Sequence, residues 1–126
     1  MIKTKESDNR ATPRWLLEVF EGWFDPCPLN PNPITDGLEI EWKDKTYVNP
    51  PYSKPLPWIE KAIEENKKGK RIALLLRIDP STRWYRSLMA AGAHFFYSGE
   101  RIAFTTPEGI TQKSNRTSML VILQKP

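Results

Sequence analysis

One cysteine and one histidine in 126 residues remove several chemistries at the outset. No internal disulfide can form, so a reducing cytoplasm is the expected compartment. A structural zinc site, which usually takes four ligands of those two types, cannot be assembled from them. The same scarcity tells against a Ser-His-Asp triad. The longest apolar runs, Ile72-Ala73-Leu74-Leu75-Leu76 and Met119-Leu120-Val121-Ile122-Leu123, fall far short of the roughly 20 residues of a membrane span. No apolar stretch follows the lysines of Met1-Ile2-Lys3-Thr4-Lys5-Glu6, so neither a secretory leader nor a membrane partner is expected. The sequence also has no internal repeat and no low-complexity tract.

What is present suits one globular domain: 39% hydrophobic and 27% charged residues. Polar residues 1–11 read as a flexible N-terminus, leaving 12–126 as the domain. Twelve prolines are about twice the average share of roughly 5%, and five tryptophans are many for this length. A net charge of +4 is compatible with a polyanionic partner but does not identify one.

Thr12-Pro13 has the form of a helix start, a hydroxyl cap before proline, and the spacing of Leu16, Leu17 and Phe20 continues that helix to Gly22. Trp23-Phe24 reads as a brief strand entering Asp25-Pro26-Cys27-Pro28. Residues 45–48 form a strand stopped by Asn49-Pro50-Pro51-Tyr52. Pro57 opens a helix with Trp58, Ile59, Ala62 and Ile63 as its buried stripe. The unbroken apolar run from Arg71 to Ile78 is a strand covered on both faces. Asp79-Pro80 is expected to cap a helix carrying Trp84, Tyr85, Leu88 and Met89, ended by Gly92. Strands follow at 93–97, 101–105 and 119–123, with a polar, basic loop at 106–117. Two βαβ units between 45 and 97 predict an α/β fold: a mostly parallel sheet, helices on both faces, and antiparallel strands at one edge. Ligands of such sheets sit beyond the carboxyl ends of the strands, where Asn49, Asp25 and Asp79 are expected to open together.

Two prolines at that rim fix the backbone and withhold two N–H donors, leaving carbonyl oxygens, one amide and one aromatic ring. That set suits a planar substrate with an NH₂ group, whose lone pair is delocalised and poorly nucleophilic. Acceptance of its two N–H bonds by the Asn49 amide oxygen and the Pro50 carbonyl favours a tetrahedral nitrogen, while Tyr52 stacks on the ring. No strong base is demanded, because the proton becomes acidic as the methyl group arrives. The tetrapeptide resembles the catalytic motif of amino-methyltransferases that use S-adenosylmethionine. It occurs in enzymes acting on adenine in DNA or RNA and in others acting on protein glutamine.

An ordered series narrows the resemblance: Thr12-Pro13, Phe24-Asp25-Pro26-Cys27, Asp36-Gly37-Leu38 with Trp42, Tyr47-Val48-Asn49-Pro50-Pro51-Tyr52, Ala73-Leu74-Leu75-Leu76, Thr82-Arg83-Trp84-Tyr85, Arg101-Ile102-Ala103-Phe104 and Ser118-Met119-Leu120-Val121-Ile122. From about residue 12 to residue 123 the chain is similar to the phage-type DNA adenine N-6 methyltransferase (Dam) family. The resemblance implies a reduced class I, Rossmann-like sheet, S-adenosylmethionine as cofactor, and double-stranded DNA with a flipped adenine as substrate. It assigns Asn49, Pro50, Pro51 and Tyr52 to catalysis and base holding. Asp25 would meet the donor's ammonium, Thr12, Pro13 and Cys27 would border that pocket, and Asp36 would reach toward the ribose. A glycine-rich loop is missing after the first strand, and only about twenty residues separate Asp25 from Asn49, too few for a target-recognition domain. Loops or a second copy, as a homodimer on the duplex, would then carry recognition.

Arg83, Lys113, Asn115 and Arg116 are candidate DNA contacts, each against the reading of an ordinary solvated surface. Lys67, Lys68, Lys70 and Arg71 read as solvated charge, His94 as structural, Cys27 as packing rather than a nucleophile, and Trp42 as the one tryptophan to consider for a pocket wall. The competing functions are methylation of RNA adenine or protein glutamine, a non-catalytic nucleic-acid-binding module, and a small structural domain.

Overall fold

A computed structural model describes residues 18–28, 36–51, 53–97, 103–105, 111–113 and 118–124. The elements follow as β1 (Lys45–Val48), α1 (Leu56–Lys67), β2 (Arg71–Arg77), α2 (Arg83–Ala90), β3 (His94–Tyr97), β4 (Ala103–Thr105), β5 (Thr111–Lys113) and β6 (Ser118–Leu123). Four of the strands form one sheet in the order β1-β2-β6-β3, and β4 pairs with β5 in a separate antiparallel hairpin.

The sheet is mixed, which corrects the mostly parallel arrangement expected. β1 and β2 run parallel, with Val48 opposite Leu74, whereas β6 is antiparallel to both β2 and β3. The antiparallel strand therefore lies inside the sheet and not at its edge. The crossover through α2 leaves a gap one strand wide between β2 and β3. The continuous apolar run of β6 fits that gap because an interior strand covered on both faces is where such a run is stable.

One face carries Val48, Ile72, Leu74, Leu76, Met119, Val121 and Leu123 in a single core with Trp58, Ile59 and Ala62 of α1 and Trp84 and Leu88 of α2. Both of these helices thus share one face. The opposite face buries Tyr47, Ala73 and Leu75 under Phe20, which follows the helical residues Glu18 and Val19. Phe20 stacks on Tyr47 with ring centroids 4.9 Å apart. Gly22, at φ 84°, ends that N-terminal helix in the left-handed region, as its position suggested.

α1 carries its proline in the first turn, as anticipated, and buries Glu65 and Asn66 besides the apolar stripe. The Asn66 amide donates to the carbonyls of Lys70 and Gln124, tying the helix end to the end of β6. α2 departs from expectation in two ways. Its cap is Thr82, whose hydroxyl accepts from the Tyr85 amide, while Asp79 stands earlier in the turn. Met89 is exposed, because α2 turns only Trp84 and Leu88 fully inward. The expected 106–117 loop contains β5, since a two-stranded hairpin needs no apolar alternation.

Candidate active site

Phe24 makes a parallel bridge to Thr46: its amide donates to the Lys45 carbonyl at 2.9 Å, and its carbonyl accepts from the Tyr47 amide at 2.8 Å. The bridge extends the sheet beyond β1 by one rudimentary strand, and Asp25 is the next residue. Asn49 is likewise the residue after β1, and Asp79 stands two past the end of β2. Adjacent strands are about 4.8 Å apart, so the three side chains share the carboxyl rim, as the topology required.

Asn49 is half-buried, while Pro50 and Pro51 are buried. The Pro51 carbonyl accepts from the Lys54 amide at 3.2 Å, bending the chain toward α1. Tyr52 lies outside the described residues, as do Thr12, Pro13, Asn115 and Arg116. Arg83 is exposed at the first position of α2, and Lys113 closes β5.

Three of the residues expected on the donor side, Asp25, Cys27 and Asp36, stand in two adjoining turns. Asp25 is exposed, and its Oδ1 accepts from the Cys27 amide at 2.9 Å. The exposed Asp36 repeats the device, accepting from the Leu38 amide at 2.9 Å. Gly37 sits so close to the first turn that a Cβ there would stand 2.0 Å from the Pro26 carbonyl oxygen. Only a residue without a side chain permits this approach. Gly37→Ala is expected to push the turns apart, costing about 3 kcal/mol and roughly 10 °C in Tm by thermal melting. An unchanged melting curve would show that the turns are not seated on each other.

Beneath these turns lies a support absent from the sequence reading. The Gly37 carbonyl accepts from the Trp42 indole at 2.8 Å. Trp42 is 2% exposed and stacks on Trp58 of α1, so it belongs to the core and is not the pocket wall envisaged. Its backbone amide donates to Glu65 Oε1 at 2.8 Å. Glu65 is itself fully buried, and Lys70 and Lys68 bring their ammonium groups onto its carboxylate. Burial would raise the Glu65 pKa, but the hydrogen bonds from Lys70, Trp42 and Lys68 outweigh it and hold it at about 2. Lys68 and Lys70 are therefore partners of a buried anion and not merely solvated charge. Cys27 is buried in the same core, as its packing role required.

Among the described residues no three His, Cys, Asp or Glu side chains cluster to hold a metal ion, and no helix is long and apolar enough to cross a membrane.

Comparison with known proteins gives the family. The family model described as DNA N-6-adenine-methyltransferase (Dam) matches residues 1–126. A DNA N-6-adenine-methyltransferase of Haemophilus phage HP1 is 30% identical over 142 aligned positions, covering 96% of this chain and 82% of that protein. A protein of the same description from Escherichia phage T1 is 32% identical over 90 positions, covering 60% of this chain but 38% of its own length. No solved structure is a significant match. With the whole chain matched, and most of the length of one relative covered, the protein belongs to the DNA N-6-adenine-methyltransferase (Dam) family.

Proposed function

We propose that the protein transfers a methyl group from S-adenosylmethionine to the exocyclic amine of an adenine flipped out of duplex DNA. The observation that carries this reading is the position of Asn49, Pro50 and Pro51 directly beyond β1, beside the exposed Asp25 turn on the neighbouring strand. The distance between adjacent strands suits a methyl acceptor held at one and a donor held at the other. The Asn49 amide oxygen and the Pro50 carbonyl accept the two N–H bonds of the amine, and Tyr52 stacks on the base. Held this way, the nitrogen lone pair points away from the ring plane and toward the donor.

The donor, when bound, supplies an electrophilic methyl group on a sulfonium. The residues present fit it: Asp25 offers a carboxylate to an ammonium group, and its turn is fixed by the Cys27 amide and by contact with Gly37. Asp36 stands on the adjoining turn, within the reading that gives it the ribose hydroxyls. With the donor bound, the S–C electrons would remain on its sulfur as the methyl group moves to the nitrogen held by Asn49 and Pro50, and the displaced amine proton would pass to water. A reduced class I sheet is consistent with β1, β2 and β3 all pointing their carboxyl ends to one rim.

Nucleoside mass spectrometry of DNA incubated with the protein and S-adenosylmethionine tests the reading. N6-methyladenine is the expected product. Label from the donor appearing only in RNA or protein, or in no pool, would overturn it.

A further inference from the structure

Ser118 opens β6 with its side chain 1% exposed, yet its hydroxyl meets no hydrogen-bond partner among the described residues. Directly opposite across the β2–β6 ladder stands Arg77, whose Nε is also buried and also unpartnered there. Native interiors leave few polar groups in this condition, and two facing each other are stronger than one. The nearest carboxylate, Asp79, lies 3.8 Å from the Arg77 Nη2, too far for a hydrogen bond. Asp79 is itself occupied by the Ser81 hydroxyl at 2.6 Å.

The pair also stands in a telling place. Alternation along β2 puts Arg77 on the face of Ala73 and Leu75, and along β6 it puts Ser118 on the face of Leu120 and Ile122. Asn49 follows Tyr47 by two residues on that same face. Arg77 ends the strand next to β1, so the pair stands at the rim one strand over from Asn49, with the Arg77 side chain partly exposed. It contributes one permanent positive charge and two donors. A base edge offers acceptors and donors together, whereas a phosphodiester offers anionic oxygens alone. The carboxylate of the donor is a poorer match, because Asp25 stands two strand positions from β2, about 10 Å away.

We infer that Arg77 and Ser118 bind a backbone phosphate of the DNA strand whose adenine enters the site. This rests on the DNA-methylating reading above. Asp79 orients the guanidinium from its Nη2 side without occupying Nε.

Binding of duplex DNA, without donor, measured by fluorescence anisotropy over a range of salt concentrations, tests the inference. Arg77→Gln is expected to weaken binding about tenfold for every duplex sequence and to flatten the slope of log K against log salt by about 0.9. Arg77→Lys, which keeps the charge, is expected to restore that slope. Ser118→Ala is expected to weaken binding a few-fold with Tm unchanged or higher, since it removes a buried unpartnered hydroxyl. Calorimetry is expected to show unaltered affinity for S-adenosylmethionine in all three. An unchanged slope in Arg77→Gln, a loss confined to particular sequences, or a fall in donor affinity instead would each overturn the phosphate site. Altered slopes in a protein that methylates no adenine would overturn the proposed reaction and leave the phosphate site standing. Methylation that continues with an unaltered slope would do the reverse.

Discussion

Asn49→Ala is expected to slow methyl transfer by about a hundredfold or more while leaving the fold and donor binding close to those of the parent protein. The side chain lies beyond β1 and half-buried, whereas the residue before it, Val48, is fully buried in the core. Truncation therefore removes little packing, and the stability cost should stay within about 1 kcal/mol. Under the proposed mechanism, what is lost is the acceptor that draws the amine hydrogens out of conjugation with the ring. Because that interaction strengthens as the nitrogen becomes tetrahedral, its loss appears in kcat and much less in the KM for DNA. Asn49→Asp, which keeps an acceptor oxygen in place and exchanges the NH₂ for a second one, is expected to recover part of the rate. Single-turnover transfer of labelled methyl, with calorimetry for the donor and a thermal melt for the fold, makes the comparison. Turnover equal to that of the parent protein would remove Asn49 from the chemistry.

The rim could be read in advance because each of its parts is punctuated locally. A short strand ends at an unmistakable pair of prolines, a proline opens the next helix, and a five-residue apolar run must be an interior strand. The order of strands follows from no local signal. The residues of β6 say that it is covered on both sides, but not that β2 and β3 are the strands beside it. Competing signals misled at α2, where Asp79-Pro80 and Thr82 are both plausible caps and only the hydroxyl of Thr82 meets the helix amide. Glu65 was invisible for another reason. In the run Glu64-Glu65-Asn66-Lys67-Lys68 it looks like one more charge on a solvated helix end. Its burial depends on the Trp42 amide, brought in from 23 positions away. Arg77 and Ser118 carry no local signal either, since a terminal strand residue looks exposed until its cross-strand neighbour is known.

The buried carboxylate sets the second large effect, a loss of stability in acid that Glu65→Gln should flatten. Glu65 has a pKa of about 2 in the folded chain against an ordinary 4.5, so its contribution is fully present above the ordinary value. It disappears as the pH falls from there through 2, and the gap between the two values is worth about 3 kcal/mol. Burial would lower the Lys70 pKa, but its hydrogen bonds to Glu65 and Glu41 outweigh this and raise it, so the pair stays charged through neutral pH. Glu65→Ala is expected to cost about 4 kcal/mol at pH 7, because it strands a mostly buried ammonium and leaves the Trp42 amide without its acceptor. Glu65→Gln keeps the shape and an acceptor for that amide, so about half of this loss is expected. Urea denaturation at pH 7 and pH 3 separates the effects: the drop between the two should be clearly smaller in Glu65→Gln than in the parent protein. Equal drops would mean that acid sensitivity arises elsewhere. Since Trp42 also holds the Gly37 carbonyl, and Gly37 rests on the Asp25 turn, the Glu65→Ala variant should bind S-adenosylmethionine more weakly while its affinity for DNA changes little. That asymmetry distinguishes a support for the donor side of the rim from a general loss of structure, which would weaken both.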